Sequence, residues 1–219
     1  MAIVNLFAGK ASDIIRVLLV NYPKTWTIRD LAKEATAALG WTSKVSTALI
    51  RERMAIRETE RAELKLMAPL DLLKKWATIN NFVANTRFVE YYSREEDITK
   101  FMSQFKVKKG LEYAFTALAG ALLVAPYVRP NNVHVYVRSE EVAKKWANLL
   151  NLMPVEENGN VRFAIAETGD PFYGARKIDG VNVVSDIQLY VDLLNYPARG
   201  EEAASMILKK IESRWKKAD

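Results

Sequence analysis

The 219-residue chain contains no cysteine and only one histidine, His134. The absence of cysteine excludes disulfides, thiolate metal sites and cysteine nucleophiles, and a chain without disulfides fits a reducing compartment. With one histidine and no cysteine, the usual zinc sites and Cys–His catalytic pairs are also excluded, and we do not expect His134 to act in a Ser–His pair. His134 lies in an alternating run, so we predict a strand residue that faces solvent or a partly polar layer.

The sequence also lacks long apolar runs and glycine-rich phosphate-binding motifs. Its longest uncharged run, residues 113–128, is shorter than the ~20 residues of a membrane-spanning helix, which favours a buried core helix. No basic stretch followed by a long apolar segment opens the chain, so we expect no signal peptide, no membrane partner and a cytoplasmic protein. Neither Gly-x-x-x-x-Gly-Lys nor Gly-x-Gly-x-x-Gly occurs, and together with the single histidine and the lack of cysteine this leads us to expect no cofactor, no metal and no catalytic residue.

The formal net charge is +6, and most of the basic excess lies in the first third of the chain. Residues 1–67 hold 11 Lys and Arg against 7 Asp and Glu, a balance of +4, whereas residues 68–219 hold 21 against 19, a balance of +2. A local basic excess favours a polyanionic partner such as nucleic acid. The last predicted helix adds a second basic cluster, which comprises Lys209, Lys210, Arg214, Lys216 and Lys217.

Two helices are predicted before residue 41. The first covers residues 12–22, with Ser12 as its N-cap, and Pro23 ends it. Thr27 caps the second helix, whose apolar residues recur with helical spacing. We place its end at residues 39–40, because Gly40 favours the left-handed conformation that closes a helix.

The third helix and the segment after it carry the main functional signal. This helix opens at residues 42–43 and buries Val45, Ala48 and Leu49. After it, residues 55–58 and 62–66 alternate with period two around the polar turn 59–61, which predicts a β-hairpin. Two helices that brace a third, followed by a hairpin, are the arrangement of a winged helix-turn-helix, which places the third helix in the major groove of double-stranded DNA.

Polar side chains on the outer face of the third helix and on the hairpin are the predicted DNA contacts. On the helix they are Ser43, Lys44, Ser46, Thr47 and Arg51. On or beside the hairpin they are Arg57, Arg61 and Lys65. Contacts to phosphate set affinity and salt dependence, whereas contacts from the helix to base edges set sequence choice. An ordinary solvated face is the alternative, because four acids dilute the positive field: Glu52, Glu58, Glu60 and Glu63.

The rest of the chain mixes helices and strands. A connecting helix is predicted over residues 70–78, after Pro69. Strands are predicted over 97–105, 133–138, 161–166 and 181–184, and helices over 111–125, 139–150, 186–194 and 200–216. The predicted fold class is α+β. It comprises an N-terminal winged helix-turn-helix over 1–67, a linker helix over 68–81 and a C-terminal α/β domain with a small mixed sheet over 82–219.

Two segments near the C-terminus carry a family resemblance. Residues 183–194 read Val-Val-Ser-Asp-Ile-Gln-Leu-Tyr-Val-Asp-Leu-Leu, and residues 198–204 read Ala-Arg-Gly-Glu-Glu-Ala-Ala. Together with residues 71–76 and 113–121, they resemble the AbiEi-type antitoxin and transcriptional-regulator family of type IV toxin–antitoxin systems. Ala117 stands where a glycine often follows the threonine. The resemblance covers most of the chain.

This resemblance implies an N-terminal DNA-binding domain that represses its own operon. It also implies a C-terminal antitoxin domain that opposes a nucleotidyltransferase-like toxin indirectly, without a stable complex. The motif residues are Gln188, Tyr190, Asp192, Arg199 and Gly200. From the residues alone we expect a structural role, in which this helix packs against the sheet. Arg199 and Gly200 then form the turn that starts the last helix, or Arg199 pairs with Asp192 to hold that turn.

Three function classes stay open. The leading class is a sequence-specific DNA-binding transcriptional regulator and antitoxin, which is not an enzyme. The second is a winged-helix protein-interaction module without DNA binding. The third is an enzyme that uses carboxylates of the C-terminal domain for acid–base chemistry. Its candidate residues are Asp170, Asp179, Asp186 and Asp192. Roles in turns and at the start of a helix explain these carboxylates better than catalysis does.

Overall fold

A computed structural model describes residues 5–59, 61–106, 110–126, 130–167 and 169–218. Three helices come first: α1 (Gly9–Val20), α2 (Ile28–Glu34) and α3 (Leu39–Arg51). An antiparallel hairpin of β1 (Ala55–Ile56) and β2 (Lys65–Leu66) follows. Trp26, which precedes α2, forms an isolated antiparallel bridge with Leu64, so the hairpin is joined to the segment between α1 and α2. This is the order of elements predicted for a winged helix-turn-helix; Glu60, in the predicted turn, lies outside the described residues.

The start of α2 is as predicted, but the start of α1 is not. The Thr27 hydroxyl accepts a hydrogen bond from the Asp30 backbone N–H over 3.1 Å and so caps α2. The prediction that Ser12 caps α1 is wrong, because α1 begins at Gly9 and the Ser12 hydroxyl donates to the Gly9 carbonyl inside the helix. Ser12 therefore competes for a backbone acceptor instead of satisfying a free donor.

The predicted boundary between α2 and α3 at Gly40 is also wrong. The last residue of α2 is Glu34, and Thr36 takes the left-handed conformation with a φ of 49°. The Ala37 N–H donates to the Ala32 carbonyl over 2.9 Å, the bond that characterises a Schellman motif. Glycine is the usual residue at the left-handed position of this motif, but here Thr36 occupies it. Gly40 does not end a helix and lies within the first turn of α3.

The remaining elements form the larger part of the molecule. In chain order they are α4 (Pro69–Ile79), α5 (Phe82–Asn85), β3 (Arg87–Tyr92), α6 (Ile98–Ser103), a 3₁₀ turn (Gln104–Lys106), β4 (Ala114–Thr116), α7 (Ala117–Val124), β5 (Val133–Val137), α8 (Glu140–Leu149), β6 (Met153–Pro154), β7 (Val161–Ile165), β8 (Arg176–Ile178), β9 (Val181–Val183), α9 (Asp186–Leu193) and α10 (Gly200–Lys216).

Within the described ranges, seven of the strands form one mixed sheet in the order β6-β3-β7-β5-β4-β9-β8. The pairs β5–β7 and β4–β9 are parallel, and the other neighbours are antiparallel. The predicted α+β class and mixed sheet are therefore confirmed. No helix in the part of the chain that the structure describes is long and apolar enough to cross a membrane.

Two predicted elements of the larger part are wrong. The strand predicted over 97–105 is α6 and the 3₁₀ turn, because its buried residues Phe101, Met102 and Phe105 recur with helical spacing. The helix predicted over 111–125 is split into β4 and α7. Ala117, at the junction, has a φ of 49°, a conformation that glycine adopts without cost. The strand β3 was not predicted, whereas α8, α9, α10, β5, β7 and β9 lie within one residue of their predicted bounds.

Helices cover both faces of the sheet. On one face α6 and α8 pack through a cluster of aromatic rings that includes Phe105 and Trp146, 4.5 Å apart between centroids. On the other face α7, α9 and α10 pack in a hydrophobic cluster that continues through α4 and α1 into the first three helices. All eight residues of α9 are buried. The chain divisions at residues 67 and 81 stay predictions, and the buried side chains on the two sides of them form one cluster.

Gly200→Ala tests the close contact between α9 and the start of α10. A Cβ at Gly200 would lie 2.5 Å from the Leu193 carbonyl oxygen and 2.7 Å from the Tyr196 Cβ, so the backbone must shift. We expect a loss of about 1–3 kcal/mol in the free energy of unfolding, measured by urea denaturation.

Gly40→Ala is the matched control, because an added Cβ there meets nothing within 4 Å. A helical alanine in open space should leave the free energy of unfolding unchanged or raise it by about 0.5–1 kcal/mol. Equal stabilities of the two variants would contradict a tight contact at Gly200.

Candidate nucleic-acid interface

The helix α3 has one exposed face and one buried face. Ser43, Thr47 and Arg51 follow each other at four-residue spacing on the exposed face, and Lys44 lies beside them. The predicted inner residues Val45, Ala48 and Leu49 are buried against α1 and α2. No acidic residue occurs between Leu39 and Arg51. The outer face of α3 is therefore uniformly neutral or basic, which suits a polyanion.

Ser46 does not belong to this face, so its prediction as a DNA contact is wrong. Its side chain is buried, with 1% of the residue exposed. The hydroxyl donates to the Thr42 carbonyl over 2.8 Å. Ser46 lies 100° around the helix from Thr47, its neighbour in the chain, and this step turns it from the outer face to the core. Thr47 also donates to a backbone carbonyl, that of Ser43, but it remains exposed.

The hairpin places further cations beside α3. Arg61 and Lys65 are exposed, and Arg57 is half-buried. Lys65 lies opposite Ile56 in the hairpin register, and both side chains are exposed. Among the described residues, no carboxylate lies within ion-pair distance of these three cations.

Two of the acids that dilute the positive field are engaged elsewhere. Glu52 pairs with Lys75 of α4 over 2.5 Å, and Glu63 accepts a hydrogen bond from the Thr25 hydroxyl. Glu58 remains exposed on the hairpin. Of these three acids, only Glu52 has a cationic partner, so only its charge is offset within the described residues.

Sequence reasoning missed three further cations near this surface. Arg29 and Lys33 are exposed on α2. Lys24 lies over the ring of Trp26, with its Nζ 3.6 Å from the ring centroid, next to the bridge between Trp26 and Leu64. The signal that could have found Arg29 is its place in the first turn of the second helix, which crosses the DNA backbone in a helix-turn-helix.

Behind the three helices, α1 is joined to α9 by a buried polar network. Arg16 donates from Nε to the Gln188 Oε1 over 2.9 Å and from Nη1 to the Asp13 Oδ1 over 2.6 Å. Gln188 in turn donates to the Asp192 carboxylate over 2.7 Å. The Arg16 guanidinium carbon also lies 5.1 Å from the centroid of the Trp76 ring. The network therefore links α1, α4 and α9.

Asp192 is the inner end of this network. Its carboxylate also accepts hydrogen bonds from the Thr116 hydroxyl over 2.6 Å and from the Tyr136 hydroxyl over 3.3 Å. Burial raises the pKa of Asp192 to about 7, although the hydrogen bonds from Thr116 and Gln188 act in the opposite direction. Burial also raises the pKa of Tyr136 well above its usual range. Three donors thus fix the carboxylate in the core.

The structure separates the residues of the C-terminal motif. Gln188 and Asp192 belong to the buried network, and Tyr190 is buried on α9. The predicted alternative of a pair between Arg199 and Asp192 is wrong, because the three donors on Asp192 are Gln188, Thr116 and Tyr136. Arg199 instead precedes α10 and is exposed, which agrees with the predicted turn at Arg199 and Gly200.

The carboxylates of the alternative enzyme hypothesis have different partners. Asp170 pairs with Arg138 over 3.0 Å, and Asp186 pairs with Arg176 over 2.5 Å. Asp179 has a φ of 49° in the turn between β8 and β9. In the described stretches of the chain, no group of three or more His, Asp or Glu side chains is placed to hold a metal ion.

His134 is buried in the sheet, so the prediction that it faces solvent or a polar layer is wrong. Only 1% of the residue is exposed, and neither ring nitrogen has a hydrogen-bond partner among the described residues. Its ring packs edge-on against Phe82, Phe88 and Tyr196. Burial lowers the pKa of His134 to about 3. The imidazole is therefore neutral at physiological pH.

These features define a protein with three helices and a hairpin in front of an α+β body. A sequence model of the family described as "Transcriptional regulator, AbiEi antitoxin, Type IV TA system" matches residues 65–212. The match covers more than half of the chain, so the chain belongs to this family of antitoxins and transcriptional regulators, and the predicted resemblance is confirmed. Searches of curated proteins and of solved structures gave no match.

His134→Phe tests the buried neutral imidazole. The folded pKa of about 3 lies below the unfolded value of about 6.5, so the unfolded chain binds more protons between these two values. Wild-type stability therefore falls as the pH falls below 6.5. The variant lacks this dependence, and its stability relative to wild type should rise by about 2 kcal/mol between pH 7.5 and pH 5, measured by urea unfolding.

The design isolates one group, because His134 is the only histidine in the chain. Asp192 titrates in the same pH range with the opposite sign, since its raised pKa lowers stability as the pH rises from about 4 to 7. It is present in both proteins and cancels in the difference. Parallel pH profiles for the two proteins would contradict a buried, unprotonated His134.

Proposed function

We propose that the protein is a sequence-specific double-stranded-DNA-binding transcriptional regulator whose first 67 residues act as a winged helix-turn-helix. The observation that carries this proposal is the exposed, acid-free face of α3, with Lys44, Thr47 and Arg51, next to a hairpin that bears exposed Arg61 and Lys65. A helix with such a face fits the major groove, and a basic hairpin fits the phosphates that flank it.

The proposed contacts divide into two groups. Ser43, Lys44 and Thr47 lie in the first two turns of α3, where a recognition helix meets base edges. The second group consists of phosphate contacts, which are Arg51, Arg57, Arg61 and Lys65. Contacts of the second group bind any sequence, so sequence choice depends on the first group.

We also propose that this regulator represses its own operon and acts as the antitoxin of a type IV system. Family membership supports the antitoxin role, because the matched residues 65–212 comprise β2 and nearly the whole α+β body. In this proposal the body opposes a nucleotidyltransferase-like toxin indirectly, without a stable complex. The protein then has no catalytic role of its own.

Thr47→Ala and Ser46→Ala are a matched pair that tests sequence reading. Thr47 is exposed on the outer face of α3, whereas Ser46 is buried and bonded to Thr42. Thr47→Ala should reduce the preference for the upstream DNA of the protein's own gene, relative to base-substituted versions, by about fivefold or about 1 kcal/mol. Fluorescence anisotropy with labelled duplexes measures this preference.

Ser46→Ala should leave the sequence preference unchanged, although it removes a buried hydroxyl from the neighbouring position. A loss of preference in Ser46→Ala that equals the loss in Thr47→Ala would contradict the assignment of the outer face of α3 as the reading surface.

Arg61→Ala tests the phosphate contacts of the hairpin. Removal of one phosphate contact should weaken binding to all duplexes and lower the slope of log K against log salt by about one unit or less. Lys144→Ala on α8 is the control, because Lys144 is also exposed but lies on the opposite face of the sheet from the first three helices. Identical salt slopes for wild type and Arg61→Ala would count against a DNA-binding hairpin.

One observation favours a second function, the docking of a protein partner. Ile56 of the hairpin is 43% exposed, and Met67, directly after it, is 51% exposed. Exposed apolar side chains of this size are suited to a protein interface. Absence of DNA binding at 50 mM salt, together with a stoichiometric complex that Ile56→Lys disrupts, would favour this function over the first.

A further inference from the structure

A cavity of about 360 Å³ lies where α1 and α4 meet the α+β body. The wall from the N-terminal side includes Arg16 of α1 and Trp76 of α4, and the opposite wall includes Tyr136 of β5 with Gln188 and Asp192 of α9. This volume is in the range of small-molecule sites and would hold about a dozen waters. The buried polar network described above forms its floor.

Arg16 leaves one end of its guanidinium available. Only 4% of the residue is exposed, and it lines the cavity. Its Nε and Nη1 donate to Gln188 and Asp13, whereas Nη2 has no acceptor among the described residues. Burial lowers the pKa of Arg16, because the charged form lacks the hydration that water would give it. A second acceptor at Nη2 would compensate for this lost hydration.

Asp13 does not fully neutralise Arg16, because its carboxylate also pairs with a second cation, Lys10, and accepts a backbone hydrogen bond. Oδ1 accepts from Arg16 and, over 2.7 Å, from the Asp170 backbone N–H, and Lys10 lies 3.2 Å from Oδ2. On the opposite wall, Asp192 already accepts three hydrogen bonds. Both buried carboxylates near Arg16 therefore also interact with groups other than Arg16, although Asp13 Oδ2 has no hydrogen-bond partner among the described residues.

The N-terminus of α1 opens into the same cavity. Ala8 and Gly9 line it, no side chain caps the helix, and no acidic residue occurs in its first turn. The Ala11 N–H donates to the Ala8 carbonyl over 3.2 Å, and the remaining free N–H groups at the start of this 12-residue helix carry a partial positive charge that favours an anion. The uncapped terminus and the buried guanidinium stand on the same helix, and both face one cavity.

We propose that this cavity binds a small molecule through an oxyanion, a carboxylate or a phosphate group. The oxyanion lies between Nη2 of Arg16 and the N-terminus of α1, and the rest of the ligand lies against Trp76 and Tyr136. Such a ligand contacts both α1, which packs on α3, and α9, the buried helix of the body. The site does not depend on DNA binding.

Ala8→Asp tests the site in a protein that should fold, because aspartate is a favourable N-cap. Its carboxylate would occupy the place of the ligand's oxyanion. Ala38→Asp is the matched control: Ala38 is the N-cap of α3, also lacks a side-chain cap and lies outside the cavity lining. Both variants change the net charge by the same amount.

Isothermal titration calorimetry on the full chain uses four probes at constant ionic strength: inorganic phosphate, adenosine 5′-monophosphate, glutarate and citrate. We expect saturable binding of at least one probe, at least tenfold weaker in Ala8→Asp and unchanged in Ala38→Asp. Binding of the two phosphates alone identifies a phosphate ligand, and binding of the two carboxylates alone identifies a carboxylate ligand.

A shift of the indole N–H resonance of Trp76 on titration shows that a probe binds in this cavity. The chain has five tryptophans, so Trp76→Phe assigns this signal in a ¹⁵N spectrum. It should shift with the same saturation curve in wild type and in Ala38→Asp. No saturable binding of any probe, an equal loss in both aspartate variants, or binding without a shift of this resonance would overturn the proposal.

Discussion

The first three helices are joined to the body through a shared hydrophobic cluster, and the buried polar contact at this junction is the hydrogen bond between Arg16 of α1 and Gln188 of α9. An arginine with 4% of its surface exposed is stable in a protein only where acceptors and other charges compensate for its lost hydration. Gln188 and Asp13 provide the acceptors, and Asp192 holds Gln188 in place. Loss of one member of such a buried network typically costs about 3–5 kcal/mol, because it leaves a charge without compensation.

The buried contact at Arg16 also affects the position of the exposed helix α3. The helix α1 presents Arg16 to α9, and it packs against α3 within the same hydrophobic cluster. The outer face of α3 is therefore held at a fixed place relative to the sheet, although its own residues make few contacts with the body. A rigid body behind a recognition helix reduces the conformational entropy that binding would otherwise cost.

Much of this architecture could be predicted from the sequence, and the errors have physical causes. The spacing of apolar residues predicted α8, α9 and α10 correctly, because each helix has a continuous amphipathic or apolar pattern and a recognisable start. The prediction failed at Thr36 and Ala117, where non-glycine residues adopt the left-handed conformation that usually indicates glycine. The boundaries of α3 and α7 were wrong for this reason.

The candidate surface was predictable in part, because the α3 residues follow from helix geometry once the register is known. Ser46 was wrong because its polarity suggested exposure, whereas a serine in a helix can bond to the carbonyl four residues earlier and remain buried. The network around Arg16 could not be predicted, since its central hydrogen bond joins two residues that are 172 positions apart in the chain. Only the tertiary fold brings these residues together.

The range of the family match has a physical explanation in the same terms. It begins at Lys65, the first residue of β2, and so excludes α1, α2 and α3. In the body, the side chains of Gln188, Asp192 and Thr116 constrain one another, because they are buried and satisfy each other's hydrogen bonds. On the outer face of α3 no internal partner dictates the side chains. If α3 binds an operator, the DNA sequence determines its outer residues. Regulators with different operators would then be more similar in the sequence of the body than in the sequence of α3.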